Sequence, residues 1–95
     1  MIIRIVTLQF EEKDVPQFLE IFAASKPRIL DFDGCTHVEL LQGTADANTL
    51  LTYSHWESED HLNAYRKSEF FGSVWPKTKA ILAAKPHAIS VKKLE

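Results

Sequence analysis

Two side chains able to handle protons stand four residues apart, His61 and Tyr65, in the stretch His61-Leu62-Asn63-Ala64-Tyr65. If that stretch is helical, the spacing puts them on one face, one turn apart. An imidazole that titrates near neutrality suits a base, and a phenol beside it suits a hydrogen-bond donor. Such a pair fits a reaction that first draws a proton from its substrate to leave an electron-rich carbanion or phenolate. A plainer reading is also open, in which Tyr65 packs on the core and His61 is solvated at a helix start.

Phe71, Trp75 and Thr78 recur at helical spacing further on. Phe71 and Trp75 would form a flat aromatic wall suited to stacking a planar ligand, with Thr78 one turn beyond. Phe22, on the apolar stripe of the first helical segment, joins Phe71, Trp75 and Thr78 as a candidate substrate-binding residue. Trp56 reads as core. For Trp75 a core role and a pocket role both stand, because the adjacent Pro76 disturbs tight packing.

The four histidines, His37, His55, His61 and His87, include no pair at i,i+4 and belong to no ligand motif, so no metal site is expected. His37 and Glu39 share a strand face, the pattern of an exposed rim. Cys35 follows Gly34 without a visible activating partner and reads as a buried structural thiol. Glycine-rich phosphate loops, nucleophile elbows and paired-carboxylate signatures are missing from the sequence. No cofactor is expected.

Ninety-five residues make one domain, 1–95. The chain is 45% hydrophobic and 25% charged, ordinary for a globular domain and wrong for a disordered one. Six phenylalanines, two tryptophans and two tyrosines are a heavy aromatic load for so small a core. A net charge of −2 argues against nucleic acid as partner. The longest apolar run, Ala80 to Ala84, is far short of the ~20 residues that span a bilayer. The single cysteine and the absence of a signal-peptide layout make the cytoplasm the expected compartment.

The elements that must position these residues read as follows. Ile2 to Phe10 is a β-branched strand whose alternate faces, Ile2-Arg4-Val6-Leu8-Phe10 and Ile3-Ile5-Thr7-Gln9, both carry apolar residues. Asp14 is a candidate N-cap, Pro16 sits in the first turn, and Val15, Phe18, Leu19 and Phe22 follow at helical spacing. Pro27 predicts a break or bend, and Asp33-Gly34 a stop where glycine takes a positive φ. Cys35 to Gln42 and Thr49 to Trp56 are strands joined by the turn residues Gly43 to Asn48. Ser58 caps a short helix, and Ser68 caps a longer one. The longer helix carries Phe70, Phe71, Val74, Trp75, Thr78, Ile81 and Leu82 on one stripe, kinks at Pro76 and closes before Pro86. His87 to Leu94 is the last strand.

The order is β-α-β-β-α-β, a ferredoxin-like α+β fold with a four-stranded antiparallel sheet and helices on one face. Apolar residues on both faces of the first and third strands predict a cover for the bare face. In so short a chain a second copy is the expected cover, as a homodimer.

Tyr53-Ser54-His55-Trp56-Glu57-Ser58 followed by His61 to Tyr65, then Lys67-Ser68-Glu69-Phe70-Phe71, resembles the strand-to-helix junction and second helical start of the antibiotic-biosynthesis monooxygenase family. Together with the element order, the likeness covers essentially the whole chain. The resemblance implies a dimeric α+β barrel with one pocket per subunit between sheet and helices. It also implies oxidation of a small aromatic, phenolic or quinol substrate by molecular oxygen without metal or flavin. A non-catalytic dimeric module that binds a hydrophobic small molecule is the alternative. The family's haem-degrading branch places tryptophan at the Tyr65 position and its haem-ligating histidine at the Trp75 position, so no tight haem complex is expected here.

Overall fold

The sheet is built around its first strand. In the computed structural model, which describes Met1–Glu95, β1 (Ile2–Gln9) lies between two antiparallel neighbours. It pairs with β3 (Thr49–Trp56) along its whole length, from Ile2 opposite Trp56 to Gln9 opposite Thr49. On its other side it pairs with β4 (His87–Val91), from Ile3 opposite Val91 to Thr7 opposite His87. β2 (Cys35–Gln42) completes the sheet beside β3, giving the order β2-β3-β1-β4. The helices are α1 (Val15–Leu30), α2 (Glu59–Arg66) and α3 (Glu69–Lys79). This is the expected ferredoxin-like arrangement, with the second helical region split in two.

All three helices border one cavity together with Arg4, Val6 and Leu8 of β1, so they cover the same face of the sheet. Beneath them Leu8, Phe10, Phe18 and Leu50 form the buried core, with Phe10 and Phe18 stacked at 4.7 Å. Burying a side chain of this size is worth ~1.5–3 kcal/mol, so a core this small leans on each member. The opposite face is bare in the single chain. It presents Ile3, Ile5, Leu51 and Tyr53, with Leu41 40% exposed and Ile89 55% exposed.

Local signals set most boundaries. Ser58 Oγ accepts from the His61 amide at 3.2 Å, and Ser68 Oγ accepts from the Phe71 amide at 3.1 Å, as expected of caps. Asp46 braces the β2–β3 turn by accepting from the Asn48 amide and the Thr49 hydroxyl, each at 3.0 Å.

Four details depart from the sequence reading. The chain enters α1 through a 3-10 turn, Glu12–Asp14, and Asp14 is itself helical and makes no side-chain cap. Pro27 does not break α1, which runs on to Leu30. Two contacts beyond the proline hold that last turn: Ile29 faces the cavity, and the Arg28 guanidinium lies 4.5 Å over the Phe70 ring. The last helix stops at Lys79, not near Pro86, because Leu82 bridges to Phe10 and the Ala83 amide donates to the Gln9 carbonyl at 2.8 Å. β4 correspondingly ends at Val91.

Candidate functional site

The cavity between sheet and helices has a volume of about 260 Å3. Its floor is the sheet. Alternation along β1 turns Arg4, Val6 and Leu8 inward, and the register sets Ser54 opposite Arg4 and Thr52 opposite Val6. Val38 of β2 and Ala88 of β4 extend the floor on either side. The roof is aromatic. Tyr65 stacks on Trp56 at 5.0 Å, Phe71 meets the Tyr65 ring edge-on at 5.2 Å, and Trp75 stacks on Phe71 at 6.0 Å with an interplanar angle of 21°. Phe32 meets the other side of Tyr65 edge-on at 5.1 Å. Rings held on several sides have little rotational freedom, so the wall is pre-formed.

Four of the residues singled out from sequence as substrate-binding converge here: Phe22, Phe71, Trp75 and Thr78 all line the cavity, and Tyr65 lines it with them. Trp75 is half-buried, whereas Trp56 is 1% exposed, its indole N–H donating to Ser54 Oγ at 3.0 Å. Trp56 is therefore core that backs the wall, and Trp75 is part of the wall.

His61 does not join them. Its ring lies outside the cavity, with Nδ1 2.6 Å from Ser58 Oγ and Nε2 3.5 Å from the Asp33 carboxylate. It covers Gly34, whose φ of +84° is the left-handed conformation expected there; a Cβ at Gly34 would collide with the imidazole. The four-residue spacing is helical as expected, but α2 is rotated so that Leu62 and Tyr65 face inward and His61 lies against the α1–β2 turn. His37, 3.4 Å from Glu39, lies on the bare face with Tyr53 and His55. The Nε2 of His55 is buried there without a hydrogen-bond partner.

The sequence profile of the family described as antibiotic biosynthesis monooxygenase matches residues 1–74. The chain belongs to that family. Solved structures agree on the fold. A conserved protein from Methanosarcina mazei Go1 superposes with a TM-score of 0.91 at 20% identity, covering 98% of this chain and 93% of its own. A structure described as an antibiotic biosynthesis monooxygenase gives 0.91 at 13% identity over the full length of both chains. A candidate monooxygenase of the same description from Nitrosomonas europaea gives 0.90 at 14% identity, again over both full lengths. No curated protein matches the chain significantly in sequence. The matched segment of this family member ends before Trp75 and Thr78, so those two cavity residues rest on the geometry alone.

The electrostatics of the cavity are unusual for its composition. Tyr65 is pushed up to about 12 by burial, with proximity to Cys35 adding to the effect, so at neutral pH its hydroxyl is a donor. Burial likewise pushes the Cys35 thiol up, against a weaker opposing hydrogen bond with the His37 backbone, which fits a structural thiol. Arg4, absent from the sequence-based candidates, lies half-buried on the floor, and its Nη1 donates to Ser90 Oγ at 3.0 Å. Desolvation lowers its pKa first, and the charge of Arg66 at the same cavity lowers it further. The available signal was its position: a charge on the same strand face as Ile2, Val6, Leu8 and Phe10, where a solvated residue has no place.

Proposed function

We propose that the protein is a cofactor-independent monooxygenase acting on a small aromatic, phenolic or quinol substrate held between sheet and helices. Family membership supports the reaction class, and the observation that carries the substrate class is the aromatic wall of Tyr65, Phe71 and Trp75 over one cavity. A planar ring slides between that wall and the Val6-Thr52 floor, with Phe22 and Thr78 closing the sides. For a phenol the reaction balances as one ring C–H becoming C=O as the hydroxyl becomes the second carbonyl of a quinone. One atom of dioxygen enters the product and the other leaves as water, and the substrate supplies all four electrons.

In this reading Tyr65 donates a hydrogen bond to a substrate oxygen and orients the ring. His61 takes no direct part in this reading: the imidazole lies outside the wall and instead braces the helix start and the α1–β2 turn through Ser58 and Asp33. We also propose that a second copy covers the bare sheet face, closing the two sheets into a dimeric barrel. The apolar character of that face supports it, with Ile89 and Leu41 exposed in the single chain.

An oxygen electrode tests the reaction directly. A reduced naphthoquinol should consume oxygen severalfold faster with the protein than by its own autoxidation, with saturation, and labelled dioxygen should place one atom in the product. Equal rates with and without protein would end the enzyme reading; binding of the quinol without turnover would leave a non-catalytic module.

A further inference from the structure

The cavity contains two arginines and no acid. Among its titratable lining residues are Arg4, Arg66 and Tyr65, with no aspartate, glutamate or histidine. The ion pairs of the chain are Lys13 with Glu11, His37 with Glu39, and His61 with Asp33, so neither cavity arginine is paired. Arg4 uses one donor on Ser90, leaving the rest of a guanidinium fork that carries five. Two like charges close enough to sense each other, one of them half-buried, are unfavourable by themselves. Arg4 stands on the sheet floor at the edge of the cavity, half-buried, with the exposed Ser90 beside it.

The charges also have a definite position along the floor. The row Ser54-Arg4-Ser90 crosses three strands and is polar, while the next inward rows, Thr52-Val6-Ala88 and Leu50-Leu8, become apolar toward the core. Successive same-face rows on a strand are ~7 Å apart. A ring over Val6 and under Trp75 therefore carries a substituent on its rim to the level of Arg4. The exposed Arg66 at the end of α2 approaches the same level from the roof side.

We propose that Arg4 and Arg66 form an anion clamp, and that the ligand of this cavity is a planar aromatic whose rim oxygen, carboxylate or phenolate, is bound in its ionised form. This deepens the monooxygenase reading, on which its catalytic meaning rests, by naming the charge state of the substrate. The cavity contains donors and cations but no group that accepts a proton at neutral pH. It therefore favours a substrate that ionises to solvent and is held as the anion. Bidentate guanidinium–oxyanion contacts are among the stronger hydrogen bonds available to a protein. A volume of about 260 Å3 lies just under the usual ~300–1,000 Å3 of ligand sites and excludes a macromolecule.

Calorimetry with 2-naphthoate and its neutral isostere 2-naphthamide tests the clamp without oxygen chemistry. The naphthoate should bind about tenfold or more tighter. Arg4→Gln should bring the two probes within about twofold, Arg4→Lys should keep part of the preference, and Arg66→Gln, at an exposed position, should reduce it in a chain that folds normally. A nitrophenol near its own pKa supplies the second arm, since binding should raise its coloured phenolate fraction in the native protein and not in Arg4→Gln. The absence of naphthoate binding at millimolar concentration, equal affinity for the two naphthalenes, or a preference that survives both arginine substitutions would overturn the clamp. Charge preference without oxygen uptake would sink the oxygenase and leave the clamp. Oxygen uptake with no charge preference would do the reverse.

Discussion

Each face of the sheet carries a set of residues that its surroundings do not suggest. The face under the helices carries Arg4, Ser54, Thr52 and Ser90 across its middle, although it is roofed by aromatic rings. The face turned to solvent carries Ile3, Ile5, Leu51, Ile89 and Val91. A monomer designed only to fold would have these sets exchanged. The inward polar row is the feature on which the proposed anion site rests, and the outward apolar row is the feature on which the proposed dimer rests.

The largest effect expected from disturbing this contrast comes from one charge placed on one face of β1 or the other. Leu8→Asp, at a position 2% exposed, buries an unpaired carboxylate under the helices and should remove most of the ~5–15 kcal/mol that holds such a domain together. Ile5→Asp changes the bare face and should leave the fold intact while converting a dimer of twice 10.8 kDa into a 10.8 kDa monomer, read by light scattering. A wild-type monomer at micromolar concentration would contradict the second half of the contrast.

A smaller effect separates the two tryptophans within the covered face. Trp56→Ala should cost ~3–5 kcal/mol by the cavity it leaves, since that ring is 1% exposed. Trp75→Ala, at the wall of an existing opening, should cost less than half as much in denaturant titration and should weaken ligand binding more than it weakens folding. Equal losses would return Trp75 to the core.

The smallest effect is a pH signature of Tyr65. An unfolded tyrosine releases its proton near 10, whereas the buried Tyr65 keeps it until about 12. Between those values the unfolded chain holds fewer protons, so rising pH favours it. The stabilising contribution is complete below pH 10 and is lost on the way to 12, amounting to ~3 kcal/mol at most. Urea midpoints should fall more steeply across that window in the native protein than in Tyr65→Phe.

What could be read from sequence follows the range of the interactions involved. β2, β3 and both capped helix starts were legible because their signals are local: Ser58, Ser68 and the turn residues Gly43 to Asn48 act on their neighbours. The continuity of α1 through Pro27 and the true end of α3 were not, because Ile29, Phe70 and Phe10 decide them from other parts of the chain. In the candidate site, the convergence of Phe71, Trp75 and Thr78 follows from one helix and its period. His61 failed because a four-residue spacing says that two side chains share a face without saying which way that face turns. Arg4 was missed for a related reason: a lone charge in a strand looks like solvent exposure until the partners of its face are known.

The turn at Gly34 binds distant parts of the chain into one cooperative unit. Its carbonyl accepts from the Glu57 amide at 2.8 Å, and its bare α-carbon is the seat for the His61 ring. The end of α1, the start of β2, the end of β3 and the first turn of α2 thus meet within a few ångströms. Opening any one of them exposes the other three, so the segment that carries Tyr65 cannot breathe independently of the sheet edge.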